Sequence, residues 1–160
     1  MISRELEILM RFIRSGRLIG TYVREVPVGV DILERMVRIR SRHTNYRYRR
    51  SAERVVVSGS SHKVDAVCIE TGSLGLILEP IGVDGWKSIR EHYKGRGVWL
   101  IEVKKRLNAE QLGQLLINRD LFMQDNREYF TIRGLYALCE EGNVLLEPIF
   151  RKYGITVYVV

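Results

Sequence analysis

The sequence predicts an α/β fold, grading into α+β if its strands pair mainly antiparallel, with a central mixed sheet flanked by helices. Three observations predict it. Segments 3–15 and 108–124 carry apolar residues at helical spacing. Several short runs rich in Val, Ile and aromatic residues read as strands. From residue 84 onward helical and strand patterns alternate, punctuated by Gly and Asn. A chain of 160 residues, 46% hydrophobic and 28% charged, is enough for one domain (1–160) with a substantial core. No internal repeat or second-domain linker interrupts it.

Each element has its own warrant. Ser3 is a plausible N-cap for a helix over 3–15. Its apolar arc holds Leu6, Leu9, Met10, Phe12 and Ile13, and Glu5 falls inside that arc. Thr21–Val28 reads as a strand, with Pro27 marking an edge or an end. Asp31–Arg38 could form a short helix. Val55–Val57 and Val64–Ile69 read as strand, turn, strand, and Leu74–Ile81 adds another. Asp84 is expected to cap a helix to Tyr93. Val98–Lys105 is a strand entered from the Gly95-Arg96-Gly97 turn. Asn108, with Gln111 three residues on, matches a capping box and opens a helix to about Gln124. On that helix Leu112, Leu115, Leu116, Phe122 and Met123 form an apolar stripe, flanked by Gln111, Gln114 and Asn118. A strand over 129–139, a helix over 144–153 and a strand over 155–160 close the chain.

The charge is basic: 26 Lys and Arg against 19 Asp and Glu give a formal +7, and 20 of the 26 are arginine. That favours a polyanionic partner, because the guanidinium fork grips phosphate bidentately. Eight arginines fall between Arg35 and Arg54, so a loop or insertion is expected at about 35–54. Tyr46, Arg47, Tyr48, Arg49 and Arg50 within it are candidate nucleic-acid contacts, through phosphates and stacked bases. Cys68 and Cys139 sit in apolar strands and read as buried thiols. No signal pattern or membrane-length apolar run is present, so a cytoplasmic protein without a membrane partner is expected.

Within Val98–Lys105, strand alternation places Trp99, Ile101 and Val103 on one face and Glu102 and Lys104 on the other. Two charges at the end of an apolar strand are costly unless they are paired or bind something. If the Asp65 strand pairs antiparallel with this one, Asp65, Glu102 and Lys104 converge at one place on the sheet. Two carboxylates there supply hard oxygen ligands suited to Mg²⁺ or Mn²⁺.

These residues resemble the PD-(D/E)XK nuclease superfamily. The resemblance is carried by Asp65 in Lys63-Val64-Asp65-Ala66-Val67, by Ile101-Glu102-Val103-Lys104, and by Gly113-Gln114-Leu115-Leu116. It implies a restriction-endonuclease-like core in the order α-β-β-β-α-β-α-β. It implies Asp65 and Glu102 as metal ligands for Mg²⁺ or Mn²⁺, Lys104 as the catalytic lysine and Gln114 as the helix glutamine beside the site. Glu5 would be the first-helix acid that some branches add. Four residues beyond Gln114, where many members carry tyrosine, this chain has Asn118.

The expected function is therefore metal-dependent hydrolysis of phosphodiester bonds in nucleic acid, taken to be DNA. A catalytically inactive nucleic-acid-binding or scaffold subunit with the same fold is the alternative. A structural partner protein, with Leu112, Leu116 and the strand over 155–160 as an oligomer surface, is a further one; a homodimer would suit the nuclease, since cutting both strands of a duplex commonly needs two sites. Substrate architecture and sequence preference are not written in the chain.

Overall fold

The computed structural model describes residues 2–31, 34 and 62–160. The first helix, α1 (Arg4–Arg14), starts where expected, because Ser3 Oγ accepts a hydrogen bond from the Leu6 N–H. It leads into strand β1 (Thr21–Pro27), which Pro27 ends. Then follow β2 (Lys63–Ile69), β3 (Gly75–Ile77), α2 (Gly82–His92), β4 (Arg96–Val103), α3 (Ala109–Asn126), β5 (Phe130–Cys139), α4 (Glu147–Lys152) and β6 (Ile155–Val159).

The strands form one mixed sheet in the order β3-β1-β2-β4-β5-β6. β1 pairs antiparallel with β2, and β2 antiparallel with β4. β4, β5 and β6 run parallel, joined by α3 and α4 as crossover helices. The α/β reading with a mixed sheet holds, and the strand carrying Asp65 does pair antiparallel with the one carrying Glu102.

Apolar residues alternate along the strands and so build a core on each face. Tyr22, Ala66, Cys68, Ile101, Val103 and Leu138 face α1 and meet its Ile8, Leu9, Phe12 and Ile13. Val23, Val67, Ile69, Val98, Leu100 and Ala137 face the other helices and meet Trp86, Leu115, Phe122 and Phe150. Trp86, Phe122 and Phe130 pack their rings together in that second layer, at centroid distances of 5.7–6.2 Å. Cys68 and Cys139 are buried free thiols, on strands separated by β4.

Several expectations need correction. Glu5 lies inside the apolar arc of the wheel yet is exposed, in the first turn of α1. α2 begins two residues before Asp84, with Ile81 at the N-cap and no side-chain cap; Asp84 sits in the first turn instead. The strand expected over 74–81 shrinks to three residues at the sheet edge. α3 extends to Asn126. Its capping box is only half made: the Asn108 carboxamide oxygen accepts from the Gln111 N–H, but the Gln111 side chain turns to the sheet. The segments 55–57 and 35–54, and most of 31–38, lie outside the described residues.

Candidate active site

The site forms where the β2–β4 ladder ends. Pairing runs from Ile69↔Val98 to Ala66↔Ile101 and stops there. One residue further on, the Asp65 side chain takes over: its Oδ2 accepts a hydrogen bond from the Val103 N–H at 2.8 Å. Asp65 therefore sits at the mouth of two diverging strands, half-buried, rather than on a regular sheet face.

Glu102 points to the α3 side, with Val98 and Leu100 on the same face of β4, and is only 2% exposed. Its carboxyl adjoins that of Asp65. Burial, and then the neighbouring Asp65 charge, push Glu102 well above the usual carboxylate range. A donor works in the opposite direction: Asn118 Nδ2 hydrogen-bonds Glu102 Oε1 at 2.8 Å and also reaches the Lys63 carbonyl at 3.3 Å.

Helix α3 supplies this amide from a regular stripe. Gln111, Leu115, Asn118, Phe122 and Asp125 recur at helical spacing and are all buried. The stripe that faces the sheet thus alternates polar with apolar residues. Gln111 Nε2 donates to the carbonyls of Glu102 and Leu138, at 3.0 and 3.1 Å, tying the ends of β4 and β5 beneath the helix. Gln111 is more than a capping partner. The side-chain oxygens of Gln111, Gln114 and Asn118 are buried with no hydrogen-bond partner among the described residues.

Lys104 follows β4 directly. Its N–H donates to the Leu138 carbonyl at 3.0 Å, which prolongs the strand geometry by one residue and keeps Lys104 on the Glu102 side. It is half-buried, and no carboxylate among the described residues lies within ion-pairing distance of it.

On the α1 side a small cleft reaches the same place. Glu5, Leu6, Leu9, Arg24, Glu25, Asp65 and Val103 line it, and its volume of about 30 Å³ matches a water or a small ion. Glu5 is thus brought beside Asp65, although it is not buried. Glu25 is a residue that the sequence does not announce. It adopts φ 53°, a left-handed conformation rare outside glycine, between the regular pairs Arg24↔Ala66 and Val26↔Val64. That kink stands across from Asp65. Nothing in a Glu within a β-branched run signals such a turn.

The structure therefore brings Asp65 and Glu102 together at the end of the β2–β4 ladder, with Glu5 on the same small cleft as Asp65; Lys104 follows β4 directly, and Gln114 lies on α3 with its side-chain oxygen buried. Tyr46, Arg47, Tyr48, Arg49 and Arg50 lie outside the described residues. However, the connection that carries them leaves the sheet at Pro27 and returns at Lys63, its pairing partner, two residues from Asp65. Comparison of the chain with protein-family models, with curated proteins and with solved structures gives no match.

Among the described residues, no group of three or more His, Cys, Asp or Glu is placed to hold a metal ion. The donor chemistry is nonetheless all oxygen: two touching carboxylates and unpartnered amide oxygens. One or two carboxylates, completed by waters and substrate phosphate oxygens, is the set that Mg²⁺ uses. The residues present fit such an ion. Among the same residues no helix is long and apolar enough to cross a membrane.

Proposed function

We propose that this protein is a metal-dependent nuclease that hydrolyses phosphodiester bonds, with DNA as its substrate. The observation that carries the reading is the juxtaposition of the Asp65 and Glu102 carboxyls at the open end of two antiparallel strands, with Lys104 as the residue that follows β4. Two adjoining carboxylates, one of them buried, repel each other unless a cation or a proton is shared. Asp65 and Glu102 would hold Mg²⁺ or Mn²⁺. Such an ion, when bound, supplies Lewis acidity at a phosphoryl oxygen and lowers the pKa of a coordinated water.

The chain's own residues then have distinct tasks. Asp65, pinned by the Val103 N–H, presents one oxygen from a fixed position. Glu102 is fixed by Asn118. Lys104, on the Glu102 side and free of carboxylate partners among the described residues, can orient an attacking water or neutralise charge developing on the phosphate. Arg47, Arg49 and Arg50 would grip backbone phosphates and Tyr46 and Tyr48 would stack on bases. The connection holding them is anchored next to the site.

In this reading, cleavage of a DNA substrate requires Mg²⁺ or Mn²⁺. It falls by on the order of 10²-fold or more in Asp65→Ala and in Glu102→Ala. Undiminished cleavage by both variants would sink the assignment. One observation favours a second reading, a scaffold or nucleic-acid-binding subunit: Glu102 is nearly inaccessible and already hydrogen-bonded by Asn118. Salt-sensitive DNA binding with no Mn²⁺ uptake in a calorimeter would select it.

A further inference from the structure

We infer that Asn118 is the positioning residue for Glu102, holding that carboxylate in the orientation a cation shared with Asp65 requires. The inference rests on the metal-dependent reading above and deepens it. A primary amide has two N–H hydrogens, and here one nitrogen serves two acceptors: Glu102 Oε1 on β4 and the Lys63 carbonyl on β2. Three elements, α3, β4 and β2, therefore meet at a single atom. The amide is 4% exposed, so water does not compete for these bonds.

Two features separate this amide from ordinary packing. It engages one carboxylate oxygen and leaves the other free of it, which fixes the rotation of the Glu102 head group without closing it. Moreover, its own oxygen is buried with no partner among the described residues, so its placement serves the donated bonds at the expense of the accepted one. Groups that orient a metal-binding side chain control ion affinity without touching the ion.

The test uses the full chain and Mn²⁺ alone as the probe, titrated calorimetrically into wild type, Asn118→Leu, Asn118→Ala and Asn126→Ala. Thermal unfolding of each accompanies the titration. Leucine keeps the shape of asparagine and removes the donor. Asn126 is another buried amide of α3, bonded to Trp86 and Arg90 instead of to the site, and reports on purely structural loss. Both Asn118 variants are expected to weaken Mn²⁺ binding by roughly 10- to 100-fold. Asn126→Ala, held well below its melting temperature, keeps wild-type affinity. Wild-type affinity in the Asn118 variants overturns the inference and leaves the metal-dependent reading standing. Absence of Mn²⁺ binding by the wild type overturns both. Failure of both Asn118 variants to fold assigns the residue to stability and also overturns the inference.

Discussion

Among the described residues, the buried polar side chains at the C-terminal end of α3 are all hydrogen-bonded, whereas those toward its N-terminal end leave three amide oxygens without a partner. The first cluster is centred on Asp125 and Asn126. Asp125 accepts hydrogen bonds from the N–H groups of Gly29, Val30 and Asp31 at 2.7, 3.3 and 3.3 Å. The Asn126 side chain accepts from Trp86 and from Arg90 and donates to the Phe122 carbonyl. Arg90 also reaches the Asp125 carbonyl and Asp31, and its guanidinium lies over the Tyr129 ring at 4.6 Å. The second cluster has Asn118 on the Glu102 carboxyl, which adjoins Asp65, and Gln111 on the Glu102 backbone carbonyl, with the oxygens of Gln111, Gln114 and Asn118 left unpartnered among the described residues. The same helix thus buries one polar group that is closed and one that is open. A closed network rigidifies a fold, whereas an open one retains bonding capacity that only a further polar group can use.

That contrast breaks most sharply at Asn126. Asn126→Ala removes three hydrogen bonds and leaves the Trp86 N–H and the buried Arg90 short of an acceptor. Destabilisation of about 2–4 kcal/mol is expected, a fall of roughly 6–12 °C in Tm by calorimetry.

A somewhat smaller effect follows from Asp125. Burial, and then the Asp31 charge, raise its carboxyl to about 6. The folded state therefore holds this proton at pH values where the unfolded chain has released it. The resulting stabilisation is complete below about pH 4 and is lost as pH rises through about 6, an amount on the order of 2–3 kcal/mol. Asp125→Asn should flatten that part of the stability–pH curve measured by urea unfolding. An unchanged slope would mean that the cluster is not closed in the way described.

The smallest change sharpens the comparison from the open side and has the opposite sign. Burial and the Asp65 charge raise Glu102 to about 9, so at pH 8 the folded state must bind a proton that the unfolded chain has released. Glu102→Gln removes that cost, and the protein should gain about 1 kcal/mol and melt roughly 2–4 °C higher. A loss of stability would place the Asp65–Glu102 pair among the closed networks.

Much of this arrangement can be read in the chain. The Ser3 and Asn108 caps and, to within a residue, the limits of β2, β5 and β6 follow from local chemistry and alternation; β4 begins and ends two residues earlier than expected, because Arg96 and Gly97 pair with β5 instead of turning. The misreadings have a common physical origin. Gln111 looks like a capping partner because its neighbours in sequence are helical. Its actual acceptors are carbonyls on β4 and β5, brought to it only by sheet pairing. The buried stripe of α3 is expected to be Leu112, Leu115, Leu116, Phe122 and Met123. Yet Gln111, Asn118 and Asp125 occupy every second seat, because carbonyl and carboxylate acceptors for the two amides and N–H donors for Asp125 offset their desolvation. Asn118 is visible in sequence only as part of a polar helix flank and as a departure from a tyrosine. Its bond to Glu102 depends on how α3 crosses the sheet. The left-handed turn at Glu25 leaves no compositional trace at all.

The connection from β1 to β2 starts and ends at a strand pair, Pro27 with Lys63, reinforced by the Val28 N–H donating to the His62 carbonyl at 3.1 Å. Closing a loop costs entropy only logarithmically in its length, about 0.6 kcal/mol for each doubling. The two strands therefore act as a socket. Between the pinned turn at Gly29–Asp31 and His62, sequence can be lengthened, shortened or exchanged with little effect on the register that aligns Asp65 with Glu102. The alignment of Asp65 with Glu102 is thereby set by the pairing of β1, β2 and β4 and not by the length of the connection.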